Sequence, residues 1–205
     1  MKKTIIILSV LAAILSSCGI LKKSATHDKG VVINGVRWAT RNVDEFGTFA
    51  KTSESAGKFY QWNRKKAWNT TDKKVTDWDD TTPEGNVWEK ANDPSPKGWR
   101  IPTFEEIRTL LDTKKVSSEW TTQNGVKGRK FTDKATGNSI FLPAAGFRWH
   151  SDGILSSRAG SYGDYWSSTP NFEKWAKSLY FLYRDPPDRN NDFRGYGRSV
   201  RAVAE

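Results

Sequence analysis

Residues 92–106 read NDPSPKGWRIPTFEE and contain the clearest helix start in the chain. Thr103 with Glu106 three residues later is a capping box. The threonine hydroxyl accepts the N–H of the third helical residue, and the glutamate reaches back to the N–H of the threonine. Phe104, Ile107, Leu110 and Leu111 follow at helical spacing, which predicts a helix over about 104–113. Just upstream, residues 69–98 are rich in Asp, Thr, Asn, Pro and Lys, with Trp78 and Trp88 embedded. That pattern predicts a long irregular region pinned by buried indoles.

Further upstream, Val31 to Trp38 places Asn34-Gly35 between β-formers, the strongest short hairpin signal, so the domain is expected to begin at 31. Downstream of the helix come short strand-like pieces at 129–132, 140–142, 145–149, 164–168, 177–183 and 198–203. Many short antiparallel strands and one clear helix predict a loop-rich α+β domain over 31–205. The chain's 205 residues suit one domain with tails. Ten Trp, ten Phe and six Tyr exclude disorder for most of it. Trp38, Trp62, Trp99, Trp149 and Trp166 are expected as core pillars.

The first 17 residues read as an export signal. Lys2 and Lys3 precede an apolar run, Ile5 to Leu15, of 11 residues. A membrane-spanning helix needs about 20, so this run suits a secretory signal instead. Leu15-Ser16-Ser17-Cys18 looks like a bacterial lipobox, which predicts cleavage before Cys18 and its lipidation. Residues 18–30 are then a lipid-anchored tether. Gly19 is not the aspartate that resembles an inner-membrane retention signal, so the outer membrane is expected, on its cell-surface or periplasmic face. Residues 18–205 hold 31 basic and 23 acidic side chains, net +8. Such a surface attracts anions, but an exported protein seldom meets nucleic acid, and no nucleic-acid partner is expected.

Catalytic and metal chemistry find little support. A single Cys excludes an intramolecular disulfide and a Cys-ligated metal, and two His leave little room for zinc. Asp188-Arg189-Asn190-Asn191-Asp192 resembles the opening of a calcium loop. The EF-hand needs Gly at its sixth position and Glu at its twelfth, where this chain has Phe193 and Ser199. An irregular calcium loop stays open beside the ordinary reading as solvated turn residues. No Gly-x-Ser-x-Gly elbow or Gly-rich phosphate loop occurs. Ser167, Ser168, His150 and Asp152 could be drawn as a triad, but the serines after Trp166 read as backbone-bonded. No enzyme activity and no cofactor are expected.

Taken together, INGVRWATRNV (33–43), NDPSPKGWRIPTFEE (92–106), LPAAGFR (142–148), YWSST (165–169) and GRSVRAV (197–203) resemble, in order, the Fibrobacter succinogenes major paralogous domain. The resemblance covers residues 31–205. It implies a C-type-lectin-like fold of the formylglycine-generating-enzyme branch, which also holds the variable proteins of diversity-generating retroelements. Formylglycine-generating enzymes work through cysteines, and residues 19–205 have none. The implied role is therefore a non-catalytic ligand-binding or adhesion lipoprotein, or a structural envelope component without a dedicated ligand.

The resemblance places the variable surface at the C-terminus, and the composition there is unusual. The chain has 20 Lys but none after Lys177. Residues 178–203 also lack Glu, Gln, Met and Trp. Adenine-directed mutagenesis of AAC codons cannot produce those five residues. If Leu179 and Phe181 face the core, then Ser178, Tyr180 and Leu182 face outward. The expected binding surface comprises Tyr180, Leu182, Tyr183, Arg184, Arg189, Asn190, Asn191, Phe193, Arg194 and Tyr196. Tyr and Arg among small polar residues make adaptable contact surfaces. The expected partner is a surface protein or a glycan. The alternative is that this face packs on the 69–98 region.

Overall fold

The computed structural model describes residues 28–205. The expected signal segment 1–17, the lipidation site Cys18 and the tether up to residue 27 lie outside the described residues. The folded part begins before residue 31. Asp28 is buried, and its carboxylate accepts hydrogen bonds from the backbone of Gly30 and Thr40 and from the Thr40 hydroxyl, with Arg41 Nε 3.3 Å away.

Three antiparallel sheets form. The first holds β1 (Val31–Ile33), β2 (Val36–Trp38), β3 (Trp99–Arg100) and β10 (Val203–Ala204), in the order β1-β2-β10-β3. The second is a meander of β4 (Val116–Gln123), β5 (Val126–Asp133) and β6 (Ser139–Pro143). The third is a meander of β7 (Tyr162–Asn171), β8 (Trp175–Leu182) and β9 (Asp188–Phe193). The helix α1 covers Phe104–Leu111, and both bonds of its Thr103/Glu106 capping box are made.

The local chemistry explains these elements. Asn34 and Gly35 both have positive φ, 45° and 82°, as the tight hairpin turn between β1 and β2 requires. Asn124 and Gly125 repeat this at 48° and 83° between β4 and β5. The two ends of the described domain meet: Val203 pairs with Trp38, and Ala39 and Val43 donate to the carbonyls of Ala202 and Val200. Phe104, Ile107, Leu110, Phe131, Leu179 and Phe181 share one core with Ile33, Trp38 and Val203, so all three sheets and the helix close on a single apolar cluster.

The expected α+β, C-type-lectin-like class is overturned. Of the described residues, strands and isolated bridges take 37% and helical turns of both kinds 6%, and α1 is the only α-helix among them. The structure is a mostly-β assembly of three small sheets. Two strands account for much of the difference. β4 (VSSEWTTQ) and β9 (DRNNDF) are too polar to show an apolar alternation. The irregular stretch 69–98 holds one short 3-10 turn, at Lys90–Asn92, and no strand. The piece expected at 145–149 makes only bridges, at Arg148.

Gly163 on β7 is required by packing: a Cβ there would lie 2.1 Å from the Phe181 ring. Gly163→Ala is expected to destabilise by about 1–3 kcal/mol through overpacking, and Phe181→Ala by about 3–5 kcal/mol through a cavity. Urea denaturation of both variants measures this. A Gly163→Ala protein as stable as wild type would show that this contact does not constrain the sheet.

Candidate functional site

The third sheet carries Leu179 and Phe181 on the face turned to the core, as the parity argument requires. Its other face holds Asp164, Trp166, Ser178, Tyr180 and Asp192, but most of it is covered. Arg198, 2% exposed, lies over it. The Arg198 guanidinium pairs with Asp164 and stands 2.7 Å from Asp192 Oδ1. Tyr162 donates its hydroxyl to Asp164 at 2.8 Å, and Ser178 donates to Asp192 at 2.5 Å. The rings of Trp166, Phe147 and Tyr196 surround the guanidinium at 5.0, 5.5 and 4.9 Å. Burial pulls Arg198 down to about 9, so it remains charged at neutral pH. Burial pushes Asp192 up to about 6, against the hydrogen bonds from Ser178 and Asn190.

A ridge of aromatic rings lies on and beside this cluster. Trp175 meets Phe193 edge to face at 6.0 Å, Phe193 meets His150 at 4.7 Å, His150 meets Tyr196 at 5.6 Å, and Tyr196 meets Trp149 at 5.8 Å. Trp149 is 43% exposed and Trp175 45%. At the tip between β7 and β8, Phe172 is 83% exposed with φ of 59°, a left-handed conformation costly for a bulky side chain.

Arg194 holds this tip. It is 1% exposed, and its guanidinium donates to the carbonyls of Trp175 (3.1 Å), Gly85 (2.7 Å) and Phe172 (3.0 Å) while lying over the Trp62 ring at 4.2 Å. Its expected place on the exposed surface is therefore corrected: Arg194 is a clamp between the hairpin tip and the irregular region. Arg129 does the same work at the far end of β8, donating to the carbonyls of Leu182 (3.0 Å) and Asp185 (2.7 Å) and so fixing the exposed Tyr183 between them.

The remaining expected residues do not form one surface. Phe193 and Tyr196, half-buried, belong to the aromatic ridge. Tyr183 packs against Trp120 at 5.7 Å. Arg184 is exposed in the turn after β8. Arg189 lines a cleft with Glu105, Arg108 and Thr109 of α1. Asn191 is exposed, and Asn190 donates to Asp192. Tyr180 stacks on Tyr162 at 6.1 Å, and Leu182 is half-buried. Ser178, assigned outward, is buried by its bond to Asp192. The alternative of packing on the irregular region holds in part: Arg194 bonds Gly85, and Trp78 donates to the His150 carbonyl at 2.7 Å beside Gly197.

Trp149, His150, Phe172 and Trp175 are the ridge residues that sequence reasoning did not select. Trp149, expected as a core pillar, is instead 43% exposed. Trp175 stands four residues before Leu179, at the end of its strand, where the core no longer covers it.

The calcium-loop reading of Asp188–Asp192 is overturned, because these residues are β9, paired with β8. No group of three or more His, Cys, Asp or Glu side chains able to hold a metal occurs among the described residues. Ser167 and Ser168 donate to the carbonyls of Lys177 and Pro102. His150 lies between Phe193 and Tyr196, tilted against the first ring and edge to face with the second. No helix among the described residues is long and apolar enough to cross a membrane. Compared with known proteins, the chain matches no family model, no curated protein and no solved structure.

Arg198 is the test of the cluster. Arg198→Met leaves Asp164 and Asp192 buried together without their cation, and is expected to cost about 3–5 kcal/mol. Asp192→Asn, which keeps one of the two acceptor oxygens and replaces a carboxyl that burial already pushes towards its neutral form, is expected to cost clearly less. Chemical denaturation of the two variants gives the order; equal losses would place the cost in packing instead of charge.

Proposed function

We propose that this chain is a non-catalytic envelope lipoprotein, anchored through Cys18 in the outer membrane, that binds a partner through the aromatic ridge beside its C-terminal sheet. The ordered resemblance of residues 31–205 to the major paralogous domain and the lipobox at 15–18 support the setting. The observation that carries the binding reading is the β7–β8 tip: Phe172, 83% exposed on left-handed backbone, with Trp175 behind it, both held by the buried Arg194. Exposed rings on a firmly held backbone have less entropy left to lose on binding, and aromatic anchors with arginines dominate interface energies. The projecting tip suits a pocket on a surface protein better than a flat glycan.

The ridge as proposed replaces part of the earlier residue set. It retains Phe193 and Tyr196, adds Trp149, His150, Phe172 and Trp175, and treats Arg194 as a positioning residue. Tyr180, Leu182, Tyr183, Arg184, Arg189, Asn190 and Asn191 lie outside its centre.

Two measurements test this reading. In cells grown with labelled palmitate, the wild-type chain is expected to carry label in the membrane fraction and Cys18→Ala to lose it. For binding, beads coated with the protein are expected to capture cells bearing the partner. Phe172→Ala with Trp175→Ala should reduce capture at least tenfold, since anchors contribute about 2 kcal/mol or more each. Stability should change little, because exposed positions usually lie within about 0.5 kcal/mol. Capture that survives protease treatment of those cells but not glycosidase treatment would identify a glycan instead, and undiminished capture by the double variant would remove the tip from the site.

A further inference from the structure

Every sheet has two edges, and an edge presents unpaired N–H and C=O groups that invite another strand. In this fold all edges but one are protected. β1 and β3 have three and two residues. β6 is buried over Ile140–Pro143 and ends in proline. β7 is covered on its free side, where Trp166 and Ser168 donate to the carbonyls of Ser199 and Pro102. β9 carries Asp188, Arg189 and an inward, buried Asp192, the charged devices that block pairing.

β4 has none of these. Its eight residues, Val116–Gln123, run in unbroken register with β5 and pair with no other strand. It contains no proline, lysine, arginine or bulge, and Glu119 is its one charge. Among the described residues, no backbone hydrogen bond from elsewhere reaches residues 117–122. At its middle, the half-buried Trp120 stands against Phe181 at 6.3 Å and the exposed Tyr183 at 5.7 Å.

We infer that β4 pairs with β4 of a second copy of this chain, joining two three-stranded sheets into one of six strands. A two-fold antiparallel pair must place some residue opposite its own copy, because outward-pointing amides alternate along each strand. Two such registers overlap seven of the eight β4 residues, centred on Glu119 and on Trp120. Centring on Trp120 sets Trp120 against Trp120, Glu119 against Thr121, Ser118 against Thr122 and Ser117 against Gln123. Cross-strand aromatic and hydroxyl pairs are favourable, and no like charges face each other. Centring on Glu119 would oppose two carboxylates. The net charge of +8 over residues 18–205 disfavours random self-association, and β4 is free of the positive side chains that cause it. The β7–β8 tip lies in another sheet, so this contact is separate from the proposed ridge.

Cysteine cross-linking of the full chain in intact cells tests the register. Opposed residues in a pair come within disulfide reach, whereas a residue one position off centre and its own copy are offset by two residues along the strand and lie beyond about 7 Å. Glu119→Cys with Thr121→Cys is expected to give, under mild oxidant, a covalent dimer at least about tenfold more abundant than either single variant. Arg189→Cys with Asn191→Cys on β9 serves as the control edge. Sedimentation equilibrium of the unaltered protein in detergent is expected to return two chains per particle. A single-chain mass, or a β4 double variant that cross-links no better than the singles or the β9 pair, would falsify the inference. Loss of ridge binding with dimerisation intact, or the reverse, separates it from the functional reading.

Discussion

Buried guanidinium groups are the cross-links on which this domain depends. Arg148 donates to the carbonyls of Asn69, Asp72 and Gly153, closing the irregular region onto the bridge at residue 148. Arg201 reaches Asn42 and the carbonyls of Ala39 and Phe141, tying the C-terminal strand to the second sheet. Arg194, Arg129 and Arg198 bind the β7–β8 tip, the turn after β8 and the carboxylates of β7 and β9. A loop-rich chain buries many carbonyls that no ladder can satisfy, and each one left unpaired costs about 1–3 kcal/mol. One planar fork with five N–H donors answers several at once. Lysine, a point charge with three donors, cannot. With a single cysteine at residue 18, disulfides could not do this work.

The same groups decide which parts of the surface are shaped. A buried cation is expensive to desolvate, so the segments it clamps hold one conformation or the cation is left unpaired. Both ends of β8 are clamped in this way, by Arg194 at Trp175 and by Arg129 at Leu182. The backbone at those ends is therefore held from beneath, at Phe172 and Trp175 through their own carbonyls and at Tyr183 through those of Leu182 and Asp185. The exposed rings there remain free for contact. This division lets surface residues vary while the frame beneath them stays constant.

Much of the frame is readable from local chemistry. The capping box at Thr103, the Asn34-Gly35 turn and the inward Leu179 and Phe181 all rest on interactions within a few residues. The second hairpin was equally readable, since Asn124-Gly125 carries the signal used at 34–35. β9 was not: its polar sequence matches a turn, and only pairing with β8 makes it a strand. The fold class was misjudged because strands of this polarity give no alternation. The surface was misjudged for a related reason. Tyr, Arg and Asn read as exposed, yet Ser178 and Arg194 are buried by partners far away in sequence, Arg198 with Asp192 in one case and Gly85 in the other. Parity assigns a face, but it does not say whether another segment covers that face.

The Asp28 carboxylate has a mechanical meaning. Tension entering the domain at its N-terminal end would ordinarily peel β1 from β2 one rung at a time, the weakest way to load a hairpin. Asp28, however, is bonded to Thr40 and Arg41, which follow β2 in the chain. The pull therefore bypasses the hairpin and passes directly to residues 39–43, whose amides are bound to the 200–202 segment. A single carboxylate thus acts as a shackle, sparing the β1–β2 hairpin until it gives way and routing the load to the place where the two ends of the domain are laced together.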